Sequence, residues 1–484
     1  MSRTPGGVAL RWSDPRAWPG GRLPDSGATV VIPDSTTIVL DTTPPPLTSV
    51  EIHGALVFDQ RDLELRAEWI MVHGLLEVGS EERPFTRRAT ITLTGAPDGG
   101  NVMGMGDKLL GVMGPGRLEL HGERRTAWLR LGATAAAGTR ELVLERAPGW
   151  RVGDRIVIAS SDFDPARAEE RVITAVAGAT VTLDSALRWR HWGERQTIAG
   201  RVLDERAEVG LLTRNLLVRG DTAGQGAGFG GHVMVMKGGT AHVEGTEFHR
   251  MGQRAVEGRY PFHWHMADAV TGQYFRNNAI HRSNSRCVTV HGSDQATVAD
   301  NVCHDHLGHG IFLEDGSESG NTLSGNLVLT TRVPATEHRL LPSDARPASY
   351  WITHPDNIVR GNVAAGGTGF GFWYAFPAAP TGLSTGQSDL PRTTPLGVFD
   401  GNVSHSYRGT GLNVDDGPRA DLTTEVVSYR PRSWPSSGTS WATSTPPGRS
   451  GSAAAITCSS IRSSPTIRSG RPSRRAARRY AAAS

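Results

Sequence analysis

Five asparagines place the tightest constraint on how this chain can fold. They stand in Asn278-Ala279-Ile280-His281, Asn301-Val302-Cys303-His304, Asn326-Leu327-Val328-Leu329, Asn362-Val363-Ala364-Ala365 and Asn402-Val403-Ser404-His405, each followed about eight residues on by a β-rich run. A degenerate copy reads Thr246-Glu247-Phe248-His249. The first two steps are 23 and 25 residues; the next two, 36 and 40, carry Pro-, Gly- and Ser-rich matter that reads as surface insertions. Periods of this size built from short strands and turns belong to solenoids whose repeats stack as coils. The pattern predicts an all-β chain with a right-handed parallel β-helix, its asparagines in one column and bonded along it. Asn215, in an earlier run, is expected to join that ladder. An antiparallel sandwich and a leucine-rich repeat compete, but the sequence lacks the regular hairpin turns of one and the leucine consensus of the other.

Side chains alternate faces along a strand, so counting from each asparagine sorts them. Val288 and Val290, Ile311 and Leu313, Phe372 and Tyr374, and Leu412 and Val414 form an apolar set expected to fill the coil. The other set, Thr289, Phe312, Trp373 and Asn413 followed by His291, Glu314, Ala375 and Asp415, is expected to face outward and carry the chemistry.

Ten of the 17 histidines lie between His232 and His309. His249, His281, His304 and His405 share one offset from the ladder, which suits residues stacking coil on coil. His263 and His265, in Tyr260-Pro261-Phe262-His263-Trp264-His265, point the same way if that segment is extended, so both can meet one metal ion or one substrate group. A catalytic zinc takes three protein ligands, so His291, His304, His309 or a carboxylate must complete such a site. A hydrogen-bonded histidine pair is the other reading. Neighbouring parallel strands lie ~4.8 Å apart, which brings His291 within reach of Glu314 but leaves Asp415, three coils on, too far to pair with it. Glu314, Asp315, His291 and His309 are therefore the candidate acid–base groups. Phe312 and Trp373 offer a bed for sugar rings, and Asp415 joins them as a substrate-binding candidate. Arg286 either neutralises a polyanion or is a buried or corner arginine bonded to backbone carbonyls.

Composition removes other functions. The net charge of +3 is misleading, because residues 430–484 hold ten arginines and no acid or lysine, leaving −7 on the rest. The basic excess is one tail, which argues against a nucleic-acid partner. That tail, rich in Ser, Pro, Arg and Ala, is expected to lack structure. No run of ~18 apolar residues can span a membrane, and the N-terminus shows no export signal. Cys287, Cys303 and Cys458 show neither disulfide nor zinc spacing, so buried thiols are expected in preference to functional ones. Fifty-nine glycines and 29 prolines suit a turn-rich β protein.

Residues 8–130 hold short alternating strands, with Trp18-Pro19-Gly20-Gly21, a Pro24-Asp25-Ser26-Gly27 turn, Val50-Glu51-Ile52-His53-Gly54 and Leu76-Glu77-Val78-Gly79-Ser80-Glu81. This stretch resembles the G-eight domain, an extracellular all-β module. Further on, the run Tyr260 to His265, Ser285-Arg286-Cys287-Val288-Thr289-Val290-His291-Gly292, Leu307-Gly308-His309, Phe312-Leu313-Glu314-Asp315-Gly316 and Gly369-Phe370-Gly371-Phe372-Trp373 resemble the cell-migration-inducing and transmembrane hyaluronidases. Fibrocystin-like proteins share much of that architecture. The resemblance implies a G-eight domain over 8–130 and a β-helix over 131–425. It also implies an extracellular setting and binding or depolymerisation of a hyaluronan-like polysaccharide. Two functions follow: an acid–base enzyme that cleaves a uronic-acid glycan, by hydrolysis or elimination, with a divalent metal as an open question; or a non-catalytic glycan-binding scaffold.

Overall fold

In the computed structural model, residues 9–97, 100–198, 200–414, 416–426, 428–433 and 456–457 are described. Most of the arginine-rich tail therefore lies outside the described residues. Strands and turns make up the structure, and the only helical pieces among the described residues are single 3₁₀ turns. No helix among them is long and apolar enough to cross a membrane.

The chain winds as a parallel β-helix with three sheets, each later coil giving one strand to each. One sheet has 11 strands and runs from Ala9–Arg11 through Arg117–His121 and Thr240–Glu244 to Val398–Asp400. A second stacks Ala89–Leu93, Leu216–Gly220, Thr246–His249, Ala279–His281, Val302–Leu307, Leu327–Arg332, Val363–Gly367 and Val403–Tyr407. The third stacks Leu109–Val112, His232–Met236, Phe262–Ala269, Val288–Asp294, Ile311–Leu313, Ala348–Ile352, Phe370–Tyr374 and Thr410–Val414. The long strand Leu63–Val72 bends between the second and third sheets, pairing with Ala89–Leu93 by its first half and with Leu109–Val112 by its second.

Alternation places the apolar set where it was expected. Val288, Val290, Ile311, Leu313, Phe372, Tyr374 and Leu412 belong to one buried core that continues back to Trp12 and Trp18 in the first coil. The G-eight segment and the later coils thus share a single interior. Cys287 and Cys303 point into it from adjacent coils, and here the expectation of separate thiols is corrected: they form a disulfide. Their 16-residue separation resembles no local motif. What brings them together is the stacking of one coil on the next.

The asparagine ladder is present. Asn301 Nδ2 donates to Asn326 Oδ1 at 2.9 Å, Asn326 to Asn362 at 2.9 Å and Asn362 to Asn402 at 3.0 Å. The same amides satisfy inward-facing backbone groups that would otherwise be buried unpaired, such as Val298 O and Val359 O. Asn215 is not on the ladder: Leu216 pairs with Thr246, which pairs onward in the register of Asn278, so Asn215 sits one residue off and bonds Phe85 and Arg87 carbonyls instead. A second ladder, unforeseen in the sequence, links Asn321 to Asn357, with Gln273 bonding the same corner at an earlier coil.

The expected boundary near residue 130 falls at the start of an inserted module. After Arg117–His121 the chain leaves the solenoid, builds an antiparallel sheet with its own core of Leu129, Ile156, Ile158, Val181, Val209 and Leu211, and re-enters at Leu216. The module packs Val157, Ala159 and Leu212 on Val302, Leu327, Leu329 and Val363 of the second sheet. The histidine column lies on this face. His281 meets Glu247 at 2.8 Å, while His304 and His405 meet Glu170 and Glu208 of the module at 3.2 and 2.9 Å. These rings do more than stack coils, since two of them anchor the inserted module.

Candidate functional site

On the third sheet, backbone pairing puts Met236, His265 and His291 in one outward column and Met234, His263, Thr289, Phe312, Trp351 and Trp373 in the next. Glu314 follows His291 in the first column, its N–H donating to Val290 O at 3.1 Å. Strand and coil geometry alone therefore bring His263, His265, His291 and Glu314 together.

His291 is held between two carboxylates. Its Nε2 lies 2.7 Å from Asp315 Oδ2, and its Nδ1 lies 3.5 Å from Glu314 Oε2. Burial opposes its charge, but the flanking acids raise its pKa to about 9. Glu314 is pushed up to about 7, mainly by burial, with Asp315 adding to the rise and His291 opposing it. The Tyr260 hydroxyl donates to Glu314 Oε1 at 3.4 Å, whereas Oε2 has no hydrogen-bond partner. Asp315 is fixed from above by the backbone N–H of Ser384 at 3.2 Å.

His265, His291 and Glu314 floor an open cleft of about 300 Å³. Its walls are Met103, Gly104 and Met105 from an early turn, Met234 and Met236 from the preceding coil, Glu257 and Arg259 before the Tyr260 run, and Leu383 from the last long insertion. Glu257, Arg259, Leu383 and the methionines are the functional candidates that sequence reasoning missed. Arg259 and Glu257 precede the histidine motif by only a few residues, and that proximity is the sequence signal for them.

The remaining candidates lie elsewhere. Phe312 and Trp373 were expected as an exposed bed for sugars; each is 1% exposed. The segment 333–347 folds over them, so that Phe312, Trp351, Phe370 and Trp373 form a closed cluster packed on Leu341. The long steps of the repeat are indeed surface insertions, and their mass is what hides the aromatic row. Arg286, expected to neutralise a polyanion, is buried with a two-pronged bond to Asp344 at 2.5 and 3.1 Å and its guanidinium 4.6 Å from the Phe312 ring centre. Gly308 lets that guanidinium pass: its φ is +74°, and an added Cβ would collide with Arg286 Nη1. His309 is also withdrawn from the cleft. It takes the Ala348 N–H on Nδ1, bonds Ser343 on Nε2 and stacks on Phe312, pinning the same insertion. Asp415 lies outside the described residues.

Burial holds the His309 and His249 pKa values down to about 3 from an ordinary 6.5, with Arg286 beside the first and His281, Arg250, Arg282 and Arg155 beside the second; only Asp344 opposes, at His309. A lowered histidine pKa means that the unfolded chain binds the proton first. Stability is therefore full above about 6.5 and falls as pH drops below it, by about 1.4 kcal/mol per ring at about pH 5.5. Urea unfolding should show a lower midpoint at about pH 5.5 than at about pH 7, and His309→Gln should lessen the difference. An unchanged midpoint would show that these rings are not buried neutral.

Comparison with known proteins decides the family. The profile described as CEMIP beta-helix matches residues 228–412, and that of the G8 domain matches residues 17–132. The chain belongs to the G8 and CEMIP β-helix family. Human Fibrocystin-L is 36% identical over 449 residues, which cover 83% of this chain and 10% of that protein. The human protein named Cell surface hyaluronidase CEMIP2 is 35% identical over 346 residues, covering 61% of this chain and 24% of that one. The chain thus spans a small part of both relatives. Among solved structures, the tailspike gp61 of Pseudomonas phage phi297 aligns over 76% of this chain and 66% of its own, at 12% identity and a TM-score of 0.20.

Proposed function

We propose that this member of the G8 and CEMIP β-helix family binds a uronic-acid polysaccharide of the hyaluronan type in the cleft over His265, His291 and Glu314 and cleaves its glycosidic bonds there. The observation that carries the proposal is Glu314: an outward carboxyl at the cleft floor, its pKa raised by burial to about 7, with one oxygen that accepts no hydrogen bond and faces His291 at 3.5 Å. Such a group can give or take a proton at the working pH. His291 and Asp315 behind it hold its position and balance its charge. Arg259, half-buried in the cleft wall, is the cation placed to meet a uronate carboxylate, the role that Arg286 cannot fill. The name of the CEMIP2 relative supports hyaluronan as the first glycan to test.

Incubation with hyaluronan, followed by chain-length analysis and by the ultraviolet absorbance of unsaturated uronates, tests the proposal. Shortening without new absorbance identifies hydrolysis, and shortening with it identifies elimination. Intact hyaluronan that nevertheless binds would replace the enzyme with a non-catalytic glycan-binding scaffold; neither binding nor cleavage would overturn the reading.

A further inference from the structure

We infer that His263, His265 and His291 form a binding site for one divalent transition-metal ion of the zinc type. The inference stands on the imidazoles themselves and does not require the chain to be an enzyme.

One nitrogen from each ring can be chosen so that all three lie within 4.8 Å of one another. The ring centroids are 4.8, 5.1 and 5.7 Å apart. What singles out this cluster is how the other nitrogens are used. His263 Nδ1 lies 3.1 Å from the Gly258 carbonyl, an acceptor only, so it carries the proton and leaves Nε2 as a bare lone pair. His291 Nε2 lies 2.7 Å from Asp315, which holds a proton there, so Nδ1, 3.5 Å from Glu314 Oε2, is the nitrogen that would give up its proton to an ion. A carboxylate or carbonyl behind a histidine is the usual way in which a metal-binding tautomer is set and its ring oriented.

His263 Nε2 and His265 Nδ1 are both buried without any hydrogen-bond partner, although His263 itself is 0% exposed. Leaving two such ring nitrogens unsatisfied is costly, and buried polar atoms nearly always find a partner. A metal ion satisfies both at once. Three imidazoles with an open fourth position match the ligand set of catalytic zinc, whereas calcium and magnesium require oxygen ligands. Glu314, its Oε2 3.5 Å from His291 Nδ1 and without a hydrogen bond, stands beside that open position.

In two other clusters, ligand atoms are already engaged with one another. Cys287 and Cys303 are joined to each other beside His306, and Glu51, His53 and His73 form a partly exposed group in which Glu51 already bonds His53 at 2.9 Å.

The test is metal content. The full chain is stripped with a chelator, dialysed against zinc, and measured by mass spectrometry of the metal, beside a His263→Gln/His265→Gln variant whose folding is checked by circular dichroism. The expected result is about one zinc per wild-type chain and at least a tenfold loss in the variant. If the variant does not fold, cobalt-loaded wild-type protein provides the second measurement, through the visible bands of a four-coordinate, nitrogen-rich site. No zinc on the wild-type chain, full retention by the folded variant, or cobalt bands of an all-oxygen octahedral site would each overturn the assignment. Because no glycan enters the assay, its failure leaves the cleavage proposal to be judged separately.

Discussion

Glu314→Gln is expected to lower hyaluronan cleavage by about 10²–10⁴-fold, or about 3–5 kcal/mol of barrier, while binding stays within about twofold. The amide keeps the volume of the carboxyl and can still accept from Tyr260, so the cleft keeps its shape. It cannot donate a proton as an acid or take one as a base. Folding should not suffer, because burial already disfavours the Glu314 charge, and a neutral group avoids that cost. Turnover and retention on immobilised hyaluronan separate the two effects. Unchanged turnover in a folded variant would take Glu314 out of the mechanism.

Arg286→Ala is expected to lower stability by about 3–5 kcal/mol, read as a shift of the urea midpoint. Asp344 would then be an ionised carboxylate with almost no exposure and no cation beside it. Its remaining bonds come from the Leu340 and Leu341 N–H groups, which fix the insertion but do not neutralise it. A second change, Asp344→Ala in the same chain, should recover part of the loss, because it removes the stranded charge. Equal stability of the single variant and the wild type would mean that the pair is solvated and that the insertion is anchored elsewhere.

The repeat made the solenoid legible because its cause is local. Each ladder asparagine marks the same corner of a coil, and the alternation after it sorts Val288 and Val290 inward from Thr289 and His291 outward. The grouping of His291 with Glu314 follows from the same count, whereas His263 and His265, in a segment that interrupts the interval, join them because Phe262–Ala269 is a full strand of the third sheet. What escaped the sequence are the events off the repeat. Nothing in the period says that the segment 333–347 folds back on Phe312 and Trp373, so outward was read as exposed. For the same reason neither a polyanion-facing Arg286 nor an acid–base His309 is found, since their partners Asp344 and Ser343 lie in that segment; of the two readings of Arg286, the buried one holds, with a carboxylate in place of carbonyls. The disulfide was missed because coil stacking, not spacing along the chain, brings Cys287 to Cys303.

The unbroken ladder through the first sheet has a practical corollary for anyone dissecting this protein. A fragment begun at residue 228, where the β-helix profile starts, would strip Arg117–His121 from Thr240–Glu244 and Leu109–Val112 from His232–Met236. Raw strand edges and the apolar end of the bore would then face water, inviting fibrils or swapped partners. The unit to clone is the whole spiral.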